Sequence, residues 1–172
     1  MTGKEFEIRT AVFRVAGCVS FLADLRAIGT AHHTRIVCFN ADLMAGRAHA
    51  EAALTRALRA VRSATAISSS LEMEALLFAS GNRQCTVAER FGLHEGENRA
   101  YVCLCPPAER AFRDLAEFMC FVEEDWETIC GERGESLKDA FGITPAELAA
   151  AGGEGRLKEL VLERVALLEV YR

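Results

Sequence analysis

The stretch LLFASGNRQC, Leu76 to Cys85, holds the residues best suited to specific chemistry. An apolar, helix-like run stops on Ser80 and Gly81, and Arg83 and Gln84 follow at once. Glycine is favoured just past a helix end because it enters the left-handed region without a Cβ clash. Arginine supplies a planar cation with five N–H donors, and glutamine an amide that both donates and accepts. Such a corner is equipped to hold an anion, a base edge or a hydroxyl rather than to break bonds. Arg56, Arg59 and Arg62 recur every third residue in the helical run Gly46 to Arg62, and Arg90 follows the corner by one short helix. Arginines gathered near a loop end suit phosphate contacts. The same row is equally the ordinary solvated side of a helix whose other arc is Ala50, Leu54, Ala57, Leu58 and Val61.

Motifs for bond-making chemistry are missing. The sequence has no G-x-S-x-G, no G-x-x-x-x-G-K-[ST] and no H-E-x-x-H. His32, His33, His49 and His94 are scattered, and Glu72 and Glu74 are two apart on a helix and do not face each other. The acidic run Glu123 to Asp125 reads as solvated rather than chelating. Seven cysteines, an odd number with no C-x-x-C, read as reduced and mostly buried small hydrophobes. Cys103 and Cys105 share one side of a strand, with no close ligand pair to complete a zinc site. No metal and no cofactor is expected.

The elements that must position the corner read as a single α+β domain over residues 1–172, a small mixed or antiparallel sheet packed with several helices. The 172 residues are 51% hydrophobic with only three prolines, enough for one buried core. No apolar run reaches the roughly 18 residues of a membrane span, and MTGKEFEIRT lacks a signal-peptide layout. A soluble, cytoplasmic protein without membrane attachment is expected. Strands are predicted over Phe6 to Val15, Arg35 to Ala41 and Asn98 to Pro106. Helices are predicted over 20–29 (ending at Gly29), Gly46 to Arg62, Ser70 to Ala79, Thr86 to Phe91, Pro107 to Phe121, Ser136 to Phe141, Pro145 to Ala151 and Gly155 to Tyr171. Thr144-Pro145-Ala146-Glu147 has the layout of a capping box; Ser70 makes a weaker cap, with Met73 at the glutamate position.

The last helix is apolar almost all the way round. Leu157, Val161, Val165 and Leu168 form one stripe, flanked by Leu160, Leu167 and Tyr171 on one side and Leu162 and Ala166 on the other. A helix with one buried face needs a narrower stripe. Either it is sandwiched in the core, or a flank meets a protein partner. Net charge is −5, against indiscriminate nucleic-acid binding, but it divides into +2 through Arg99 and −7 from Ala100 onward.

SLEMEALLFASGNRQC resembles the signature of the kinase-binding regulatory subunit of the KEOPS complex (the TPRKB family), Ser-Leu-x-x-Glu-Ile-Leu-Leu-Tyr-x-Ser-Gly-x-Arg-Gln-Ile. Ser70, Leu71, Glu74, Leu76, Leu77, Ser80, Gly81, Arg83 and Gln84 match; Phe78 stands in for tyrosine, and Ala75 and Cys85 replace isoleucines. Phe91-Gly92-Leu93 is similar to the family's Phe-Gly-Ile, and RIVCFNADLMAGRAHAEAAL and LVLERVALLEV look like archaeal-type members. The likeness runs from Arg35 to the end, with Phe6 to Ile28 alike only in pattern.

The resemblance implies a non-catalytic subunit of the complex that installs threonylcarbamoyl beside the anticodon of tRNAs reading ANN codons. Such a subunit binds and stimulates a small atypical kinase that acts as an ATPase, and helps recruit tRNA through its single-stranded 3′ CCA end. It would place the CCA end at Ser80, Gly81, Arg83 and Gln84, with Arg56, Arg59 and Arg62 guiding the backbone. Leu160, Leu167 and Tyr171 are then the candidate kinase interface. Two other readings of the residues remain: a stand-alone RNA-binding protein, and a small-molecule enzyme using Arg83 and Gln84 to hold a carboxylate.

Overall fold

The computed structural model describes residues 3–171. Their contacts gather into two compact units, each assembled from two stretches of chain. One takes the chain up to Asn40 together with Gly92–Glu124; the other takes Ala41–Phe91 and the chain from Asp125 onward. Among the described residues no helix is long and apolar enough to cross a membrane.

The first unit is an antiparallel sheet with helices. β1 (Glu7–Val15), β2 (Arg35–Asn40), β3 (Gly96–Cys105) and β4 (Cys120–Phe121) lie in the order β2-β3-β1-β4. Ala11 faces Ala100 across β1 and β3, and Val37 faces Cys103 across β2 and β3. The period of two puts Ala11, Phe13, Val15, Ile36, Cys38, Ala100, Val102 and Leu104 in one core. α1 (Cys18–Ala31) adds Leu25 to it, and α5 (Glu109–Leu115) adds Ala111, Phe112 and Leu115. Arg9 lies over the Phe112 ring at 3.8 Å and pairs with Glu7 and Glu109 at 2.9 and 2.6 Å.

The helix expected from Ser136 begins at Gly131, and the one expected over Thr86 to Phe91 is the short helix Cys85–Ala88 followed by a 3-10 turn; two further boundaries differ for a physical reason. The first helix does not end at Gly29 but runs on to Ala31. A Cβ at Gly29 would sit 2.6 Å from the Thr34 carbonyl oxygen, so this glycine admits the chain returning into β2 rather than stopping the helix. The run Pro107 to Phe121 is not one helix: α5 stops at Leu115 and β4 pairs Phe121 with Ala11. The Val122 N–H and the Thr10 hydroxyl complete that junction by donating to the Thr10 and Val122 carbonyls. Two residues of strand are too few to show a period.

The second unit is helical: α2 (Arg47–Arg62), α3 (Leu71–Ser80), α4 (Cys85–Ala88), α6 (Gly131–Phe141), α7 (Pro145–Ala151) and α8 (Leu157–Val170). α2 buries His49, Ala50, Ala53, Leu54, Ala57 and Ala60, a face of small residues that lets a neighbour approach closely. Val61, expected on the apolar arc, is 47% exposed on the final turn, and Leu58 is half-buried. Thr144 caps α7 by accepting from the Glu147 N–H, but the Glu147 carboxylate turns to Arg164 at 2.6 Å instead of closing a capping box. Arg133 ties the segment before α6 to the approach to α2, donating to the Trp126 and Met44 carbonyls.

His49 is fully buried and fully used. Its Nδ1 accepts from the Ala45 N–H at 2.9 Å and its Nε2 donates to the Ala79 carbonyl at 2.8 Å. Those partners fix the neutral ring protonated at Nε2. Burial, opposed by the Ala79 bond and helped by nearby Arg133, lowers its pKa to about 4. Because the folded value lies below the unfolded one of 6.5, the joint is at full strength above pH 6.5 and is lost as pH falls through about 4. The loss should approach about 3 kcal/mol. Denaturant unfolding of wild type and His49→Gln across that window should show their stability gap shrinking as pH falls. A constant gap would show that His49 does not titrate with unfolding.

Candidate functional site

α3 is an almost wholly buried helix that delivers the corner at its end. Ser70 caps it by accepting from the Met73 N–H, and Leu71, Ala75, Leu77, Phe78 and Ala79 are buried. Glu74, fully buried, accepts the Ile67 and Ser68 N–H groups at 3.0 and 2.9 Å and so holds the incoming loop. The helix stops at Gly81, which adopts the left-handed conformation with φ 60° as the sequence predicts. A Cβ there would also lie 3.3 Å from the Cβ and carbonyl oxygen of Arg164 on α8. Gly81 therefore answers two demands, a left-handed turn and a close helix approach.

The next four residues are held by their own polar groups. The Gly81 and Asn82 N–H groups donate to the Phe78 and Leu77 carbonyls. Ser80, buried, donates its hydroxyl to the Leu77 carbonyl at 2.9 Å and accepts from the Asn82 N–H at 3.2 Å. Asn82 Oδ1 accepts from the Gln84 N–H at 2.9 Å, an Asx turn, and the Gln84 carbonyl starts α4. Arg83 is thus strung between two fixed points. Arginine side chains near a helix end often cap its last carbonyls, but here backbone N–H groups and Ser80 do that. The Arg83 and Gln84 side chains are exposed and make no hydrogen bond or ion pair among the described residues.

The arginine row does not gather at that corner. α2 meets the end of α3 at His49, so a rise of 1.5 Å per residue carries Arg56 about 10 Å and Arg62 about 20 Å away along the helix. Arg59 pairs with Glu169 of α8 at 2.9 Å and Arg56 with the same carboxylate at 3.4 Å. Arg62 and Arg90 are exposed. Of the expected RNA-contacting residues, the structure brings Ser80, Gly81, Arg83 and Gln84 together and places Arg56, Arg59 and Arg62 on a separate stretch.

The candidate protein interface on α8 needs correction. Leu160 is buried at 8% exposure alongside Leu157, Val161, Val165 and Leu168, because those side chains pack into the helical unit. Leu167 is half-buried. Tyr171 is 69% exposed, as is Val170 at 71%, and these two make up the open apolar end of the helix.

Other titratable groups are occupied structurally. Asp125 accepts from the Glu127 N–H and the Thr128 hydroxyl, which hold its carboxyl below the usual range. Glu127 accepts from the Arg47 N–H and pairs with Lys158, closing the first turn of α2. His32 pairs with Asp114 at 2.6 Å, with no serine, threonine or cysteine hydrogen-bonded to it among the described residues. None of the seven cysteines is in a disulfide; Cys85, Cys120 and Cys130 are exposed, against the expectation of general burial, while burial pushes the Cys38 thiol up to about 12. Among the described residues no three His, Cys, Asp or Glu side chains converge as metal ligands would.

Sequence reasoning missed Asn82, although an asparagine two residues before the residue that caps a helix is an Asx-turn signal. It also missed His49, Arg164 and Glu169, which bond Ala79, Glu147 and the arginines of α2 across distances in sequence that leave no local pattern. No family model matches the chain, and no curated protein matches it in sequence.

The corner makes an asymmetric prediction for stability. Gly81→Ala should cost about 1–2 kcal/mol, since an L residue is strained at that φ and meets α8. Arg83→Ala should stay within about 0.5 kcal/mol of wild type, having no partner to lose. Denaturant midpoints read both; a large loss in Arg83→Ala would show that the side chain is a structural cap.

Proposed function

We propose that this protein is a non-catalytic, kinase-binding and RNA-recruiting subunit of the KEOPS type, cytoplasmic and working without a cofactor. Its partners on this reading are a small atypical kinase that acts as an ATPase and tRNA held by its 3′ CCA end. The observation that carries the reading is the Arg83–Gln84 corner. Its backbone is fixed on both sides while its two side chains reach solvent unpaired, which suits capture of a ligand rather than bracing of a loop. A flexible single-stranded tail fits such a site, because unstacked bases can be held by stacking and edge hydrogen bonds. Arg83 pairs with phosphate or stacks on a base, and Gln84 reads a base edge or a ribose hydroxyl.

An acidic chain of net charge −5 does not hold RNA through bulk attraction, so recognition on this account is local. The kinase docks on the open end of α8 at Val170 and Tyr171, whose exposure supports an apolar contact.

Arg83→Ala should weaken tRNA binding by about 1–3 kcal/mol, the worth of one charged or stacking contact, while co-elution with the kinase persists. Tyr171→Glu should weaken kinase binding by about 2 kcal/mol or more and leave tRNA affinity in place. The isolated protein should hydrolyse no ATP and should stimulate hydrolysis by the kinase. ATP turnover in a kinase-free preparation, or unchanged tRNA affinity in Arg83→Ala, would contradict the proposal.

A further inference from the structure

Arg56 and Arg59 lie one turn apart on α2 and converge on a single carboxylate. Glu169 Oε1 is 2.9 Å from Arg59 Nη1, and Glu169 Oε2 is 3.4 Å from Arg56 Nε. The Arg56 Nε is shielded from solvent yet makes no formed hydrogen bond, while its Nη1 reaches the Ala52 carbonyl at 3.4 Å. The contact between Arg56 and Glu169 is therefore one of charge, with a good donor left under-used. A carboxylate between two guanidiniums presents two anionic oxygens to two forks, the arrangement a phosphodiester presents with its two non-bridging oxygens.

We infer that Glu169 is an internal stand-in for an RNA phosphate, keeping Arg56 and Arg59 closed until a strand reaching out from the Arg83 corner displaces it. The inference rests on reading that corner as an RNA site. Three features make Glu169 displaceable. Its side chain is about one-third exposed, at 34%, where ion pairs are weak. It sits in the last turn of α8, next to the open Val170. A phosphodiester brings one negative charge to the place the carboxylate leaves, so the charge balance at the two arginines is unchanged by the exchange.

Arg164 behaves differently. It is held by Glu147 through a formed hydrogen bond at 2.6 Å, on side chains of similar exposure, and joins α7 to α8. The gate gives length selectivity. Arg56 lies about 10 Å along α2 from the His49–Ala79 junction at the end of α3, so on this account a longer strand is needed to engage both the corner and the two arginines.

The test uses the full chain and a fluorescently labelled tRNA, titrated at several salt concentrations, with thermal midpoints recorded for each variant. Glu169→Gln should raise affinity about two- to five-fold at low salt, the worth of an exposed ion pair. Its plot of log affinity against log salt should steepen by up to about 0.7, the share of one further phosphate contact on a single strand. Glu169→Ala covers the case in which the glutamine amide re-bonds Arg59. Glu154→Gln removes one negative charge from the Lys138 pair elsewhere in the same unit and should give no comparable gain. Adding Arg56→Gln and Arg59→Gln to the Glu169 variant should abolish the gain. If wild type binds but neither Glu169 variant gains more than Glu154→Gln, the gate is overturned and the corner reading stands. If wild type does not bind tRNA, both fall.

Discussion

The candidate site depends on one buried imidazole. His49 joins the start of α2, through the Ala45 N–H, to the end of α3, through the Ala79 carbonyl, by two direct hydrogen bonds. Two polar backbone groups that would be costly to bury unpaired are satisfied by one side chain. That bond fixes where α3 ends, and the left-handed Gly81 then fixes how it ends, against the backbone of α8 at Arg164. The direction in which Arg83 and Gln84 project follows from both. A site that needs no reorganisation before meeting its ligand loses less ordering entropy on binding.

Charge is arranged around α8 with the same economy. Arg56 and Arg59 share Glu169, and Arg164 takes Glu147, so three arginines of this unit are paired internally with two carboxylates. Arg83 has no such partner among the described residues. A protein of net charge −5 can thus present a local cation without a basic surface. That pattern favours recognition by shape and directed contacts over long-range attraction, which salt would screen.

Local signals in the sequence carried much of the fold. The α+β class, three of the strands, the Gly81 stop and the Thr144 cap were legible because each depends on residues within a few positions of one another. What stayed hidden was long-range. Gly29 read as a helix stop, since nothing local shows that the Thr34 carbonyl passes where its Cβ would be. Leu160 read as a surface flank, since burial of a helix depends on what packs around it. Arg56, Arg59 and Arg62 read as a group with Arg83 because sequence spacing does not reveal that α2 runs away from the corner after His49. The corner residues themselves were legible, and their freedom from internal partners was not.

The central claim is that the corner from Ser80 to Gln84 is a prebuilt receptor for a single-stranded RNA end. The most direct measurement compares the affinity of wild-type protein for one tRNA with its intact CCA tail and for the same tRNA with those three nucleotides removed. The account predicts that binding falls by tenfold or more, since stacking alone is worth about 1–3 kcal/mol per base. Equal affinity for the two RNAs would contradict it and leave the corner a structural feature.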